Sequence, residues 1–288
     1  VLFACQGGSD PVHLSGSGAS PHYADDVDSL NAAEHPLTGG NMAGPVVRVG
    51  ATVRRATTPQ TPTVHRLLRH VRAQGVAWVP EVYGTDDQGR EVLSFIAGEV
   101  VHDLPSWLWN DSVLTAVAGA LRQWHDATSS FPHTAQDVWW APARGNAEVI
   151  CHTDFAPYNH VFVDGTFVGA IDFDLCHPGP RLWDLAYTAY RYVPLTPLPE
   201  DEVPDHDSWG RSPLPREVQQ ARLAAFLDAY AGRDAGLRYP AADLLETLVE
   251  RLDQMADWCQ EQDSAALQGN GVMYRAHARW VEAGGLAV

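Results

Sequence analysis

The feature that most restricts this chain is a stretch of thirty-three residues, "AEVICHTDFAPYNHVFVDGTFVGAIDFDLCHPG", from Ala147 to Gly179. It holds His152, Asp154, Asn159, Asp172 and Asp174 within twenty-three positions, threaded between apolar runs. Carboxylates repel one another, so two readings compete: a cation gathers them, or they are turn residues on a solvated loop. The turn cue bears on the choice. "VDGTF" places Asp164-Gly165 at a tight turn, with "HVFV" and "FVGAID" as the arms of a hairpin. The hairpin carries Asp172, at the end of its second arm, back toward Asn159, just before the first. Asp154 lies close behind.

This convergence favours the cation. Mg²⁺ takes hard oxygen ligands, few of them from protein, and fills its remaining positions with phosphate and water. A third carboxylate, five residues before Asn159, can face an incoming hydroxyl and orient it or take its proton. The D-x-x-x-x-N interval from Asp154 to Asn159 matches the spacing in protein kinases, where an Asp positions the nucleophile while an Asn and a second Asp hold the metal.

The surrounding chain reads as two lobes. Residues 1–36 show no sustained period and are rich in Gly, Ser, Asp and Pro, which predicts an irregular tail. From 37 to 98, "PVVRVGATVRRAT" reads as two short strands around Gly50-Ala51. "TPTVHRLLRHVRAQG" reads as a helix capped by Thr61, and "WVPEVYGTDDQGREVLSFIAGE" as two more strands. From 99 to 288 helical periodicity dominates, over 112–128, 216–231, 240–262 and 272–283. The expected fold class is therefore α+β: a small antiparallel sheet with one helix, followed by a larger, mainly helical lobe, with the ligand cleft between them.

Composition removes other classes. A formal charge of -17 makes a nucleic-acid partner improbable, since that affinity rests on cations neutralising phosphates; the same charge attracts cationic ligands or simply keeps the chain soluble. No apolar run approaches the roughly 20 residues of a membrane helix, and no basic residue precedes the short apolar opening, so neither a span nor a signal peptide is expected. Four cysteines without C-x-x-C spacing fit a reducing, cytoplasmic setting. All nineteen basic residues are arginine. None of the thirteen histidines forms H-x-x-x-H.

"CHTDFAPYN" with "AIDFD" resembles the H-x-D-x-x-x-x-N and I-D-x-D pair of the aminoglycoside phosphotransferase and choline kinase family, the protein-kinase-like small-molecule kinases. "VLSFIAGE" (92–99), "LRQWHD" (121–126) and "GPRLWDLAY" (179–187) are similar to that family's hinge, helix end and post-metal stretch, so the likeness runs from about Leu37 onward. The resemblance implies a protein-kinase-like two-lobe fold that transfers the γ-phosphate of Mg·ATP or Mg·GTP to a small-molecule hydroxyl. It implies Asp154 as the catalytic base or orienter, Asn159 and Asp172 as Mg²⁺ ligands, His152 as a brace and Asp174 as further support. Asp184 would brace a helix or the catalytic loop. It places backbone groups around Ser94, Phe95 and Ile96 against the purine, and the glycine-rich turn at Gly40 near the phosphates.

The chain departs from this pattern at one point. The family's third-strand lysine, paired with a helix glutamate, is missing. Alternation in "TVRRAT" puts Val53 and Arg55 on one face, which suits Val53 under the adenine and Arg55 on the phosphates, with Arg54 as the second choice. The helix "TPTVHRLLRHVRAQG" contains no acid, and His65 on it has no evident carboxylate partner. The alternative is accordingly a pseudokinase-type binding module without transfer. A third reading, the D-x-D start of haloacid-dehalogenase-type phosphatases, is disfavoured by Cys176 where Thr or Val is usual, and by the 171 residues ahead of Asp172. Acceptors in the family include aminoglycosides, choline and sugars. The acidic loop "EDEVPDHD" (200–207) and Trp107, Trp109, Trp139, Trp140 and Trp209 would suit a cationic one.

Overall fold

In the computed structural model, residues 33–37, 45–101, 104–196 and 215–284 are described. Gly40, the acidic loop at 200–207 and Trp209 lie outside them. The first sheet contains β1 (His35–Leu37), β2 (Val46–Val49), β3 (Thr52–Arg55), β4 (Val82–Thr85) and β5 (Glu91–Ser94), all antiparallel, in the order β1-β2-β3-β5-β4. Gly50 turns β2 into β3 at φ 58°, a left-handed conformation that favours glycine. His35 and Pro36, expected at the end of an irregular tail, instead pair with Arg48 and Val47 as the outer strand. A three-residue edge strand is invisible to periodicity.

Helix α1 (Thr61–Ala73) crosses from β3 to β4 and buries Val64, Leu67, Leu68 and Val71, the positions its apolar spacing marks. Thr61 is not the cap. It is the first helical residue, and its hydroxyl accepts from the Thr58 N–H at 2.8 Å, tightening the turn that enters the helix.

The joint to the second lobe is made by backbone. Beyond β5 the chain passes Gly98 at φ 150° into β6 (Glu99–Val100), which pairs with β8 (His160–Val163); β8 pairs in turn with β9 (Thr166–Ala170). A Cβ on Gly98 would stand 2.5 Å from the Phe162 carbonyl oxygen, so only glycine lets β6 lie this close. From the other side, the Trp78 carbonyl accepts from Ala170 N–H at 3.2 Å, and Trp78 packs on Phe155 and Phe167. The hairpin is thereby tied to both lobes.

The rest is helical: α2 (Asp111–Thr128), α3 (Arg181–Tyr192), α4 (Arg216–Ala231), α5 (Ala241–Gln260) and α6 (Ala265–Glu282), with β7 (Val149–Cys151) and β10 (His177–Gly179) forming a short separate pair. The stripe Leu244, Leu248, Leu252, Met255 and Cys259 is buried. Helix α6 begins seven residues before its apolar period does, because Ser264 caps it, its hydroxyl accepting from the Leu267 N–H. One continuous core joins α1, α2 and the hairpin to α3–α6, and each fully buried Leu or Phe in it contributes roughly 1.5–3 kcal/mol. No described helix is long and apolar enough to cross a membrane.

Candidate active site

Between β7 and β8 the chain must leave a strand, turn and re-enter the sheet while presenting Asp154. Thr153 makes that turn at φ 68°, a costly conformation for a β-branched residue, of order 1–3 kcal/mol. Three contacts hold it there. Its N–H donates to Asp184 Oδ1 at 2.7 Å, its carbonyl accepts from Arg251 Nη2 at 2.6 Å, and its hydroxyl donates to the Leu175 carbonyl at 3.1 Å.

Asp184, on the first turn of α3, is the hub of this arrangement. Its Oδ2 accepts from the His152 N–H at 2.7 Å and from His125 Nε2 at 3.1 Å. Behind it, His125 Nδ1 lies 2.7 Å from the Tyr230 hydroxyl, which accepts from Arg181 at 3.0 Å. Burial pushes the His125 imidazole down, so it stays neutral, giving its Nε2 proton to Asp184 and accepting at Nδ1. Burial works to raise the Asp184 carboxyl, but His125 and His152 outweigh it and hold it below the usual range.

His152 bridges the two halves of the site. Its Nδ1 accepts from Asp154 N–H at 3.3 Å, which leaves the proton on Nε2 to donate to the Ile171 carbonyl at 3.2 Å, one residue before Asp172. Burial holds this imidazole neutral as well. Asp154 is buried: Tyr158 donates to its Oδ1 at 2.7 Å and Asn159 Nδ2 to its Oδ2 at 2.9 Å. Asn159 Nδ2 also donates to the Asp154 carbonyl at 3.0 Å, so both amide protons are engaged and the amide oxygen is the group left to bind elsewhere.

Asp172 follows at φ 64°, with a side chain 33% exposed. Asn159 and Asp172 offer hard oxygens, and among the described residues no cluster of three or more His, Cys, Asp or Glu forms a closed metal cage. That donor set fits a cation with few protein ligands, which Mg²⁺ is and zinc is not.

Arg55 enters from β3 and reaches this point. Its Nη1 lies 3.2 Å from Asp172 Oδ1, its Nη2 2.7 Å from Asp174 Oδ1, and its Nε donates to Glu91 Oε1. Burial works against the charged guanidinium, but Asp174, Glu91 and Asp172 outweigh it and hold the group above its ordinary value. Burial pushes the Asp174 carboxyl up to about 6, against the pull of Arg55. Arg54 points away, toward Asp86 at 3.5 Å. Val53 pairs with Leu93 and Arg48 in the sheet.

Three expectations need correction. His65 does have a carboxylate partner: Glu91, on the neighbouring strand, at 2.8 Å. The N–H groups of Ser94 and Phe95 already donate to the Glu81 and Ala51 carbonyls, at 2.9 and 2.8 Å, so they are not open donors for a purine. Nor do the described tryptophans form one cage, since Trp107 packs on Phe162, Trp139 on Phe131, and Trp109 near Arg222. Sequence reasoning missed Glu91, Arg251, Tyr230 and Tyr158. Of these only Tyr158 carried a signal, by lying inside the Asp154–Asn159 interval.

The model of the phosphotransferase enzyme family matches residues 129–220. The trifolitoxin immunity protein of Rhizobium leguminosarum bv. trifolii is 41% identical over 200 residues, covering 67% of this chain and 72% of that protein. Among solved structures, a choline/ethanolamine kinase family protein from Mesorhizobium loti superposes with a TM-score of 0.60 at 13% identity, over 90% of this chain and 91% of that one. An aminoglycoside phosphotransferase from Alicyclobacillus acidocaldarius gives 0.52 at 15% identity, over 92% and 95%. The fold is the α+β, protein-kinase-like one. The chain belongs to the phosphotransferase enzyme family.

Proposed function

We propose that the chain transfers the γ-phosphate of a Mg²⁺-bound ATP or GTP to a hydroxyl of a toxic small molecule and thereby disarms it. The observation that carries this reading is the pairing of Asp154 with Asn159, the bond from Ile171 N–H, beside Asp172, to the Asn159 carbonyl, and Arg55 reaching Asp172 from the sheet. Asp154 accepts the acceptor's hydroxyl proton as that oxygen bonds to the γ-phosphorus and the bond from phosphorus to the β–γ bridging oxygen breaks. Mg²⁺, held by Asn159 and Asp172, would supply charge neutralisation on the phosphates. Arg55 binds phosphate oxygens with its two forward nitrogens, Val53 underlies the purine, and the Ile96 N–H is the hinge donor of the trio that starts at Ser94. His152 and Asp184 hold the loop, and Asp174 steadies Arg55. Gly40 is assigned to the phosphates by position alone.

The acceptor class follows from two further supports. A net charge of -17 favours a cationic molecule, and the Rhizobium relative is named for immunity to a toxin. An aminoglycoside is the first candidate.

Thermal unfolding with Mg·ATP or Mg·GTP, against nucleotide or metal alone, tests the reading. At a hundred times its dissociation constant, a ligand stabilises the native state by about 2.7 kcal/mol. A Mg²⁺-dependent shift is expected in the wild type and none in Asp172→Ala. A wild type that transfers no phosphate yet shows the shift would be a binding module. In the same assay, Arg55→Ala should weaken nucleotide binding by about tenfold or more and Arg54→Ala by less than about threefold. The reverse ranking would overturn the assignment of the phosphate-binding face.

A further inference from the structure

The missing lysine and the missing helix acid are two absences in the sequence, and the sheet answers both at one place. Arg55 and Glu91 are register partners across β3 and β5. Glu91 is 1% exposed, and a carboxylate at that depth is retained only when it is paired. Both its oxygens are used: Oε1 by Arg55 Nε, and Oε2 by His65 Nε2 at 2.8 Å. His65 stands on α1, buried, and turned inward. From Arg55 the row continues to Asp172 and Asp174. Helix, strand, strand and the two aspartates are thus joined by four side-chain contacts, the last two branching from Arg55.

An arginine fork imposes a demand that an ammonium does not. A lysine is a point charge that binds phosphate from many directions, whereas a guanidinium is planar and useful only when its plane is aimed. A carboxylate on Nε fixes that plane from behind, while Nη1 and Nη2 face Asp172 and Asp174 and each keeps a second proton for a phosphate oxygen. Burial alone would raise the Glu91 carboxyl, yet the His65 hydrogen bond and the Arg55 charge hold it below the usual range, so it remains an anion able to do this.

We propose that Glu91 is the positioning residue for the phosphate-binding Arg55, supplied from the neighbouring strand instead of the helix, and that His65 ties it to α1. The inference rests on the nucleotide site proposed above. A consequence is that any movement of α1 relative to the sheet reaches the phosphates through His65 and Glu91, without an acid on the helix.

The test compares Mg·ATP affinity, nucleotide KM and acceptor KM in wild type, Glu91→Gln, His65→Phe and the double variant His65→Glu/Glu91→Gln. Glu91→Gln should lose at least about tenfold in nucleotide affinity and raise the nucleotide KM in parallel, with the acceptor KM unchanged. His65→Phe should lose about threefold. The double variant returns one acid to the same pocket from the helix side, and its nucleotide affinity should recover to within about threefold of wild type. Glu91→Gln with wild-type affinity and KM, even if less stable, overturns the proposal. Should Glu91→Gln fail to fold, the double variant decides: folded and tight supports the role, folded and weak ends it. A wild type that binds neither Mg·ATP nor Mg·GTP removes the nucleotide site itself, a result distinct from a wild type that binds and a Glu91→Gln variant that binds equally well.

Discussion

Asp154→Asn should lower phosphoryl transfer by about a thousandfold or more while leaving Mg·nucleotide affinity within about threefold of wild type. The asparagine variant is the cleaner one. Alanine would remove the acceptors that Tyr158 and Asn159 use, leaving the hydroxyl to Tyr187 and the amide to the Asp154 carbonyl alone, and would loosen the amide assigned to the proposed metal site. Asparagine keeps an oxygen for one of them and removes the base. Turnover rate and nucleotide affinity, measured on the same preparation, separate the two effects. Transfer at more than about a tenth of the wild-type rate would show that another group takes the proton.

The second large effect is on stability. Asp184→Ala should destabilise the chain by roughly 3–5 kcal/mol, because it leaves the His152 and Thr153 N–H groups and the His125 imidazole without their acceptor in a dry site. In a chain this long that corresponds to a fall in Tm of roughly 5–8 °C. Asp184→Asn should be nearly as damaging. All three contacts point protons at the carboxylate, so an amide must set its own NH₂ against at least one of them. Calorimetry of both variants checks this, and an asparagine variant as stable as wild type would show that the hub needs only one oxygen. Activity should fall with stability, since among the described residues Arg251 and the Leu175 carbonyl alone would then hold the Thr153 turn at its positive φ.

What the sequence exposes is local. The turn at Asp164-Gly165, the inward stripe of α1 and the α+β class follow from patterns a few residues long. What it conceals depends on which strands become neighbours. Glu91 lies thirty-six positions from Arg55, and nothing in "TVRR" or "REVLS" announces that β3 and β5 pair with those two residues opposite each other. The family keeps its acid on the helix; here the helix offers a histidine and the acid sits on the strand. Two of the three hinge N–H groups are hidden from a sequence reading for a related reason, as the Ser94 and Phe95 protons are claimed by Glu81 and Ala51, partners fixed by sheet register. Positive φ at Thr153 and Asp172 is equally silent in sequence, since glycine would be the expected signal and neither position has it. Arg251 reaches Thr153 across ninety-eight residues, a contact made by tertiary packing alone.

The guanidinium of Arg55, enclosed by Glu91, Asp172 and Asp174, also decides how this protein responds to chemistry. Reagents that mark kinases in cell extracts commonly acylate the amine beside the bound nucleotide's phosphates. In the proposed nucleotide site that place holds a guanidinium, which stays protonated and is not a nucleophile at neutral pH, and the sequence has no lysine side chain to offer instead. Amine-directed nucleotide probes are therefore expected to leave the proposed site unlabelled even where it binds nucleotide.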